Sequence, residues 1–333
     1  MNILEIQHLN VKIRSNKGIV NAVRDVSFNI PEGKICGLVG ESGSGKSVTA
    51  KSIMRLHPEK ITDYEGKILF GGENILEKKE KDMVHIREDE IAMIFQDPMT
   101  SLDPLMRVGD QIAETVIFHK KMSRAKAKER AIELMKQVGI TFAEKRFSQY
   151  PHEFSGGMLQ RIMIAIALAC EPKLLIADEP TTALDVTIQA QILKLIKDLK
   201  DSNNMSVLII THDLGVVANF CDMVAVMYAG EIIESADVRS VFDYSLHPYT
   251  RGLLRAIPRL GDTRKRLDAI NGMPPSLLGT LEGCPYAGRC KYCTHYCRNR
   301  NPVLKQEMEN HDVRCHYTYN FVKERVITNE QCC

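Results

Sequence analysis

The segment Gly40–Ser47 has the spacing G-x-x-x-x-G-K-S, which is typical of a loop that binds phosphate groups. An apolar run precedes it and helix-forming residues follow, so the loop joins a strand to a helix. Glycines let backbone N–H groups face phosphate oxygens, and the helix N-terminus adds partial positive charge. We expect Lys46 to contact the β- and γ-phosphates of a nucleotide and Ser47 to hold Mg²⁺. The predicted binding residues are Gly40, Ser42, Gly43, Ser44, Gly45, Lys46, Ser47 and Val48.

Two adjacent carboxylates, Asp178 and Glu179, follow another apolar run that reads as a buried strand. An aspartate there can hold Mg²⁺ through water, and Glu179 can act as general base for a water that attacks the γ-phosphate. Gln96 and His212 also come at the ends of apolar runs. Because ligands of parallel α/β sheets bind beyond the carboxyl ends of the strands, we expect these residues and Gly40 to share one site.

A second anion site is predicted at Ser155-Gly156-Gly157, where two glycines precede a strongly apolar helical stretch. It lies far along the chain from the phosphate loop, within a helical segment. One phosphate loop needs only one phosphate cradle, so the second makes sense if it covers a nucleotide bound to another subunit.

The order of the apolar runs predicts the fold class. Strands alternate with helices through most of the chain, which indicates an α/β fold with a parallel sheet covered on both faces. The pattern is helical over about residues 97–170, and this insert is expected to form a helical subdomain. From residue 241 prolines are frequent and long apolar runs are few, so residues 241–333 are expected to form an appended, loop-rich segment after a domain spanning 1–240.

Composition narrows the class of protein. The 333 residues suffice for about two domains, and 44% of them are hydrophobic, enough for a sizeable core. The net charge of +2 gives no reason to expect nucleic acid as a partner. No stretch approaches the length of a membrane span and the N-terminus has no signal pattern, so we expect a cytosolic protein.

Together these motifs resemble those of the ATP-binding-cassette (ABC) ATPases over residues 1 to about 235. The matching segments are Gly40–Ser47, Gln96, Ser155–Arg161, Asp178–Asp185 and His212. The resemblance implies a P-loop NTPase fold with a RecA-like α/β core, an antiparallel β subdomain and a helical ABC subdomain. It also implies that ATP and Mg²⁺ are bound, the metal by Ser47, Gln96 and Asp178.

The resemblance further implies a mechanism. Two such domains close head to tail, and each ATP lies between one phosphate loop and Ser155, Gly156 and Gly157 of the other domain. Glu179 polarises the attacking water, and His212 stabilises the γ-phosphate. Gln96 senses Mg²⁺ and nucleotide and links to a membrane partner, while Asp185 crosses the dimer interface. Lys46, Glu179 and His212 are the expected catalytic residues.

One position departs from the family pattern. The family usually places an aromatic side chain near the N-terminus to stack on adenine, and residues 11–20 contain none. Arg14 can lie over the ring through its planar guanidinium, or can be a solvated surface arginine.

Five of the ten cysteines fall between 284 and 315, which points to a metal or cluster in a reducing compartment. Four thiolates suit either [4Fe–4S] or tetrahedral Zn²⁺. Positive neighbours are expected to lower the thiol pKa values and to offset the charge of a thiolate cluster. The cysteines are Cys284, Cys290, Cys293, Cys297 and Cys315, and the neighbours are Arg289, Lys291, Arg298 and Arg300.

The residues around these cysteines resemble the C-terminal extension of oligopeptide and dipeptide importer ATPases, a subfamily of the ABC ATPases. The matching residues are Met158, His247–Thr250, Gly272–Pro275, Cys284–Tyr286, Arg289, Cys290, Cys297, Pro302, His311, Cys315 and His316. The family pattern has four cysteines, matched by Cys284, Cys290, Cys297 and Cys315, while Cys293 is an alternative ligand in place of Cys315. We favour the family's four ligands and a structural iron–sulfur cluster, with Zn²⁺ as the alternative.

The resemblance implies an ATP-hydrolysing subunit of a peptide importer. It implies two membrane permease subunits, a second homologous ATPase subunit, an extracellular peptide-binding protein as an indirect partner, and a peripheral place on the cytoplasmic face of the inner membrane. A nickel or other small-solute importer of the same subfamily is an alternative. A soluble ABC ATPase that acts on nucleic acid or ribosomes and a non-catalytic cassette are less favoured.

Overall fold

The structure, a computed structural model, describes residues 1–182, 184–257 and 270–318. Its strands are β1 (Asn2–Ser15), β2 (Gly18–Pro31), β3 (Ile35–Val39), β4 (Thr62–Phe70), β5 (Glu73–Asn74), β6 (Ile91–Ile94), β7 (Leu174–Asp178), β8 (Ser206–Thr211), β9 (Met223–Tyr228), β10 (Glu231–Asp237), β11 (Lys305–Met308) and β12 (His311–Val313). Its helices are α1 (Lys46–Ile53), α2 (Glu80–Asp89), α3 (Pro98–Ser101), α4 (Val108–Lys120), α5 (Arg124–Gln137), α6 (Ala143–Arg146), α7 (Gly156–Ala167), α8 (Val186–Asn203), α9 (Leu214–Phe220), α10 (Val238–Tyr244), α11 (Pro248–Arg255) and α12 (His295–Asn299).

The chain divides into two compact units. The first comprises Met1–Ile3, Ile30–Ile35 and Glu77–Ile210, and the second comprises Leu4–Asn29, Cys36–Leu76 and Thr211–Cys333. This division follows contacts within the fold, whereas the predicted domains 1–240 and 241–333 follow the sequence order and stay a prediction. Residues 258–269 and 319–333 of the predicted tail lie outside the described residues.

Parallel strands organise the first unit. β7 pairs in parallel with β6 and with β8, so that Leu174 lies opposite both Ile91 and Ser206. Every residue of β7 and β8 is buried, as expected for parallel strands covered on both faces. Polar side chains can therefore reach solvent only where these strands end.

The segment predicted to be helical, residues 97–170, contains α3 to α7. Helix α7 is apolar along most of its length and packs against α3, α4 and α5. α5 begins after Ser123 and is followed by Gly139 in a left-handed conformation, which is common after the end of a helix. This packing gives the exposed N-terminus of α7 a rigid support.

The second unit contains two sets of paired strands. In one, β4 pairs antiparallel with β1 and with β5, which is the antiparallel subdomain that the resemblance implies. In the other, β3 pairs in parallel with β9, and β9 and β12 both pair antiparallel with β10. β3 is buried throughout and leads directly into the phosphate loop.

The described residues of the C-terminal segment are mostly loop, with the end of α10, helices α11 and α12, and strands β11 and β12. β12 extends the sheet by pairing Val313 with Glu234 of β10. Arg314, 3% exposed, donates to the Asp25 carboxylate at 2.9 Å and to the Ile232 carbonyl at 3.1 Å. β11 and β12 were not predicted, because neither is long enough to show a strand period.

Across the described part of the chain, no helix combines the length and the apolar character needed to cross a lipid bilayer.

Candidate nucleotide site

The phosphate loop packs against its neighbours through backbone atoms. A Cβ on Gly40 would lie 2.1 Å from the Met227 carbonyl oxygen, and one on Gly45 would lie 2.5 Å from the Ala22 carbonyl oxygen. Gly45 also has φ +105 as the N-cap of α1, and Gly43 has φ +77. Only glycine allows such close approach and such dihedral angles without strain, so the loop keeps its N–H groups unshielded by side chains.

Lys46 lies inside the loop and is 5% exposed. Its Nζ donates to the carbonyl oxygens of Gly40 at 2.8 Å and Glu41 at 2.9 Å. The hydroxyl of Ser44 is buried and has no hydrogen-bond partner among the described residues. Ser47 and Val48 lie half-buried in the first turn of α1, while Ser42 and Gly43 are exposed. An orphaned hydroxyl beside a buried ammonium fits the oxygens of a polyphosphate.

Glu179 directly follows β7 and adopts a left-handed conformation with φ +47. Its backbone N–H donates to the Ile210 carbonyl at 2.9 Å, which anchors this conformation to β8. Its Oε2 accepts hydrogen bonds from Thr182 Oγ1 at 2.7 Å and from Gln96 Nε2 at 3.3 Å. The structure thus brings Gln96 and Glu179 together, as predicted from their positions after neighbouring strands.

The other polar residues of the predicted site also lie at strand ends. Asp178 is the last residue of β7 and is 3% exposed, whereas His212 directly follows β8 and is exposed. Gly40 directly follows β3, and Gln96 lies two residues after β6. Each of these residues therefore stands where a parallel strand presents its carboxyl end.

The second predicted anion site is the N-terminus of α7. Ser155 is its N-cap and is exposed, and its side chain makes no capping hydrogen bond to the helix. A Cβ on Gly157 would lie 2.8 Å from Ile188 Cγ2, so this glycine permits close packing against α8. The Asp185 carboxylate caps α8 by accepting from the Ile188 N–H at 2.9 Å, a local role that the sequence prediction did not include.

Four of the tail cysteines line one cavity in the second unit, together with His247 and His316. They are Cys284, Cys290, Cys297 and Cys315. Cys293 is half-exposed and donates its S–H to the Thr294 carbonyl. The structure therefore brings together the four cysteines that match the family pattern. Within the described residues, however, no group of three or more Cys, His, Asp or Glu side chains is placed so that it could hold a metal ion.

The expected lowering of the thiol pKa values was wrong. Burial raises the pKa of Cys284 to about 12 and that of Cys315 to about 11, and it also raises the pKa of Cys290. The cationic neighbours have other contacts: Arg289 pairs with Glu41, and Lys291 lies over the Tyr292 ring. Desolvation of the thiols therefore outweighs the nearby positive charge.

Arg14 is held on the protein surface in an ion pair instead of being placed to stack on an adenine ring. Its Nη2 donates to both carboxylate oxygens of Asp63, each at 3.0 Å, across the β1–β4 pair. Of the two interpretations of Arg14, the structure supports the surface arginine.

Two sets of contacts were not predicted from the sequence. Thr182 was visible in its motif, but nothing in the sequence indicated that its hydroxyl would bind Glu179. Arg289 was visible as a cation beside Cys290, yet it pairs with Glu41 of the phosphate loop, 248 positions away. A contact over such a separation has no local signal.

Comparisons with known proteins identify the family to which the chain is similar. A family model described as ABC transporter matches residues 23–182, and one described as oligopeptide/dipeptide transporter, C-terminal region, matches residues 233–297. The probable peptide ABC transporter ATP-binding protein y4tR of Sinorhizobium fredii is 50% identical over 94% of both chains. The dipeptide transport ATP-binding protein DppD of Lactococcus lactis subsp. cremoris is 53% identical over 87% of this chain and 83% of its own.

Among solved structures, the dimeric ATP-binding cassette MJ0796 bound to ADP and Pi is similar with a TM-score of 0.63 and 29% identity. The match covers 71% of this chain and 99% of that one.

The close packing of the loop predicts unequal effects of two glycine substitutions. Gly40→Ala should lower the free energy of unfolding by about 2 kcal/mol or more, because its Cβ meets a backbone carbonyl that cannot move alone. Gly43→Ala should cost about 1 kcal/mol, because its Cβ meets nothing within 4 Å and only the left-handed φ opposes it. Denaturant unfolding without nucleotide measures both, and equal losses would contradict the packing argument.

Proposed function

Because this chain belongs to the ABC transporter ATPases of the oligopeptide and dipeptide type, we propose that it hydrolyses ATP to drive peptide import through partner permeases. The relatives described above are named for peptide and dipeptide transport, which supports a peptide over nickel or another small solute as the cargo. The C-terminal family match supports the same subfamily. The conformation and hydrogen bonds of Glu179 are the observation that carries the catalytic part of the proposal.

In the proposed site, the loop N–H groups and the Lys46 ammonium bind the phosphates of ATP. Ser47, Gln96 and Asp178 hold Mg²⁺, which neutralises charge on the β- and γ-phosphates. The orphaned Ser44 hydroxyl gains a phosphate oxygen as its partner. This set uses the charges and donors that phosphoryl transfer needs, since catalysis of this kind is mostly positioning and charge stabilisation.

Glu179 acts as the general base in this proposal. Its left-handed backbone is costly for a non-glycine residue, and such strain is common at functional sites. Thr182 and Gln96 donate to one oxygen of its carboxylate and so fix the direction of the group. A fixed carboxylate can accept a proton from a water at the γ-phosphate, while His212 stabilises the phosphate charge.

The complete active site requires a second cassette. Ser155, Gly156 and Gly157 form an exposed helix N-terminus whose cap hydroxyl is not used by its own helix. In the proposed head-to-tail pair, this terminus binds the ATP held by the partner's phosphate loop, and Asp185 lies at the interface. The dimeric form of the similar cassette MJ0796 supports such a pair. The second cassette is proposed to be a homologous subunit, and the pair binds two permeases on the cytoplasmic face of the membrane.

The cysteine cavity is proposed to hold a structural iron–sulfur cluster. Four cysteines line this cavity, and four thiolates suit either [4Fe–4S] or zinc. An all-cysteine ligand set with cationic residues nearby in the sequence favours the cluster over zinc. When bound, the cluster would supply folding free energy to this segment.

Glu179→Gln tests the proposed base. We expect kcat for ATP hydrolysis in the complex with its membrane partners to fall by at least about 100-fold, because the amide cannot accept the proton. ATP affinity should stay near that of the wild type. Glu133→Gln, which removes an exposed carboxylate on α5, is the matched control. Hydrolysis at the wild-type rate by Glu179→Gln would disprove the assignment.

Thr182→Val tests whether the hydroxyl positions Glu179. Loss of one hydrogen bond to the carboxylate should lower kcat by about tenfold with little change in KM. Thr181→Val changes the neighbouring threonine in the same way and serves as the control. Steady-state ATPase kinetics measure both, and equal kcat values for the two variants would refute the positioning role.

Absorption of anaerobically purified protein tests the cluster. A brown protein with a broad band near about 400 nm is expected for an iron–sulfur chromophore. Cys297→Ser should abolish the band and Cys293→Ser should retain it, because Cys293 is directed away to the Thr294 carbonyl. A colourless protein that contains one zinc per chain would reverse the metal assignment, and metal analysis distinguishes the two outcomes.

A further inference from the structure

A bidentate ion pair joins the phosphate loop to the cysteine-rich segment. Arg289 Nη1 donates to Glu41 Oε2 at 2.7 Å, and Nη2 donates to Glu41 Oε1 at 3.0 Å. The Arg289 side chain is 6% exposed and that of Glu41 is 27% exposed, so water competes little for this contact. Paired, parallel hydrogen bonds of this kind fix direction as well as distance.

The partners of this pair are themselves held in place. Arg289 Nε donates to the Asn271 carbonyl at 3.0 Å, and its guanidinium lies 5.7 Å from the centre of the Tyr228 ring. The backbone N–H of Glu41 donates to the Tyr249 hydroxyl at 3.0 Å. Tyr228 and Tyr249 are buried and in contact with each other. Glu41, the first residue of the loop that has a side chain, is thus held by both its backbone and its carboxylate.

The position of Glu41 matters for the ammonium of Lys46. The Glu41 carbonyl accepts one of the Lys46 hydrogen bonds, so a rotation of the Glu41 peptide would move the Lys46 ammonium. The Glu41 carboxylate accepts both hydrogen bonds of Arg289, which keeps its negative charge paired. Without that pairing, a free carboxylate beside the loop would repel phosphate oxygens.

We propose that Arg289 is a positioning residue for the phosphate loop: by holding Glu41 it orients Lys46 and neutralises a carboxylate at the ATP site. The affinity for ATP then depends on the C-terminal segment that carries Arg289. The proposal rests on the ATPase function of the chain and is independent of what the cysteines bind.

Arg289→Lys is the first test, because lysine keeps the charge but cannot form the bidentate pair. We expect the dissociation constant for ATP, measured by titration of the full chain, to rise by about tenfold, as for loss of one charge-assisted hydrogen bond. The kcat at saturating ATP should change less than about twofold, because the contact is made equally before and during the reaction.

Arg314→Lys is the matched control. Arg314 is also buried and also pairs with a carboxylate of its own unit, that of Asp25, but within the described residues none of its side-chain hydrogen bonds goes to the phosphate loop. It should lower the unfolding temperature and leave the ATP dissociation constant within about twofold. If both variants weaken ATP binding in proportion to their loss of thermal stability, Arg289 has only a structural role and the proposal fails.

A double-mutant cycle gives a second arm, and its Glu41→Gln protein can be measured alone if Arg289→Lys does not fold. Glu41→Gln removes the negative charge that pairs with Arg289. The double variant, Glu41→Gln with Arg289→Lys, should weaken ATP binding no more than the more harmful of the two single changes. Additive losses would show that the two residues act separately and would overturn the proposal. Wild-type protein that binds no ATP would instead contradict the proposed function, so the two failures are distinguishable.

Discussion

The close approach of one backbone to another at the phosphate loop is the constraint on which the second unit depends. Gly40 faces the Met227 carbonyl, and the Ser44 carbonyl accepts the Gly230 N–H at 2.8 Å. These contacts tie the loop to the turn between β9 and β10, so the pairing of β3 with β9 and the shape of the cradle are set together.

Local sequence was enough to predict the elements that this constraint joins. The buried strands β3, β7 and β8 are continuous apolar runs, because both faces of a parallel sheet are covered. Gln96 and Glu179 could be expected to meet because neighbouring parallel strands end at the same edge.

What the sequence did not reveal depends on distant contacts. The rise of the thiol pKa values could not be predicted from the adjacent lysine and arginine residues, because those cations have other partners. β12 was missed since three residues show no period, and only its pairing with β10 identifies it. In each case the deciding neighbour is far away along the chain, and local propensity carries no information about it.

The hydrogen bonds of Lys46 limit the kinds of ligand that the loop can bind. The ammonium donates to two carbonyl oxygens of its own loop. An incoming ligand must outcompete these acceptors, so its binding is an exchange of partners rather than a gain of a new bond. A polyanion offers a far stronger acceptor than a carbonyl, whereas a neutral solute offers none that is better. The two carbonyl contacts of the lysine therefore favour an anionic ligand over an uncharged one at this position.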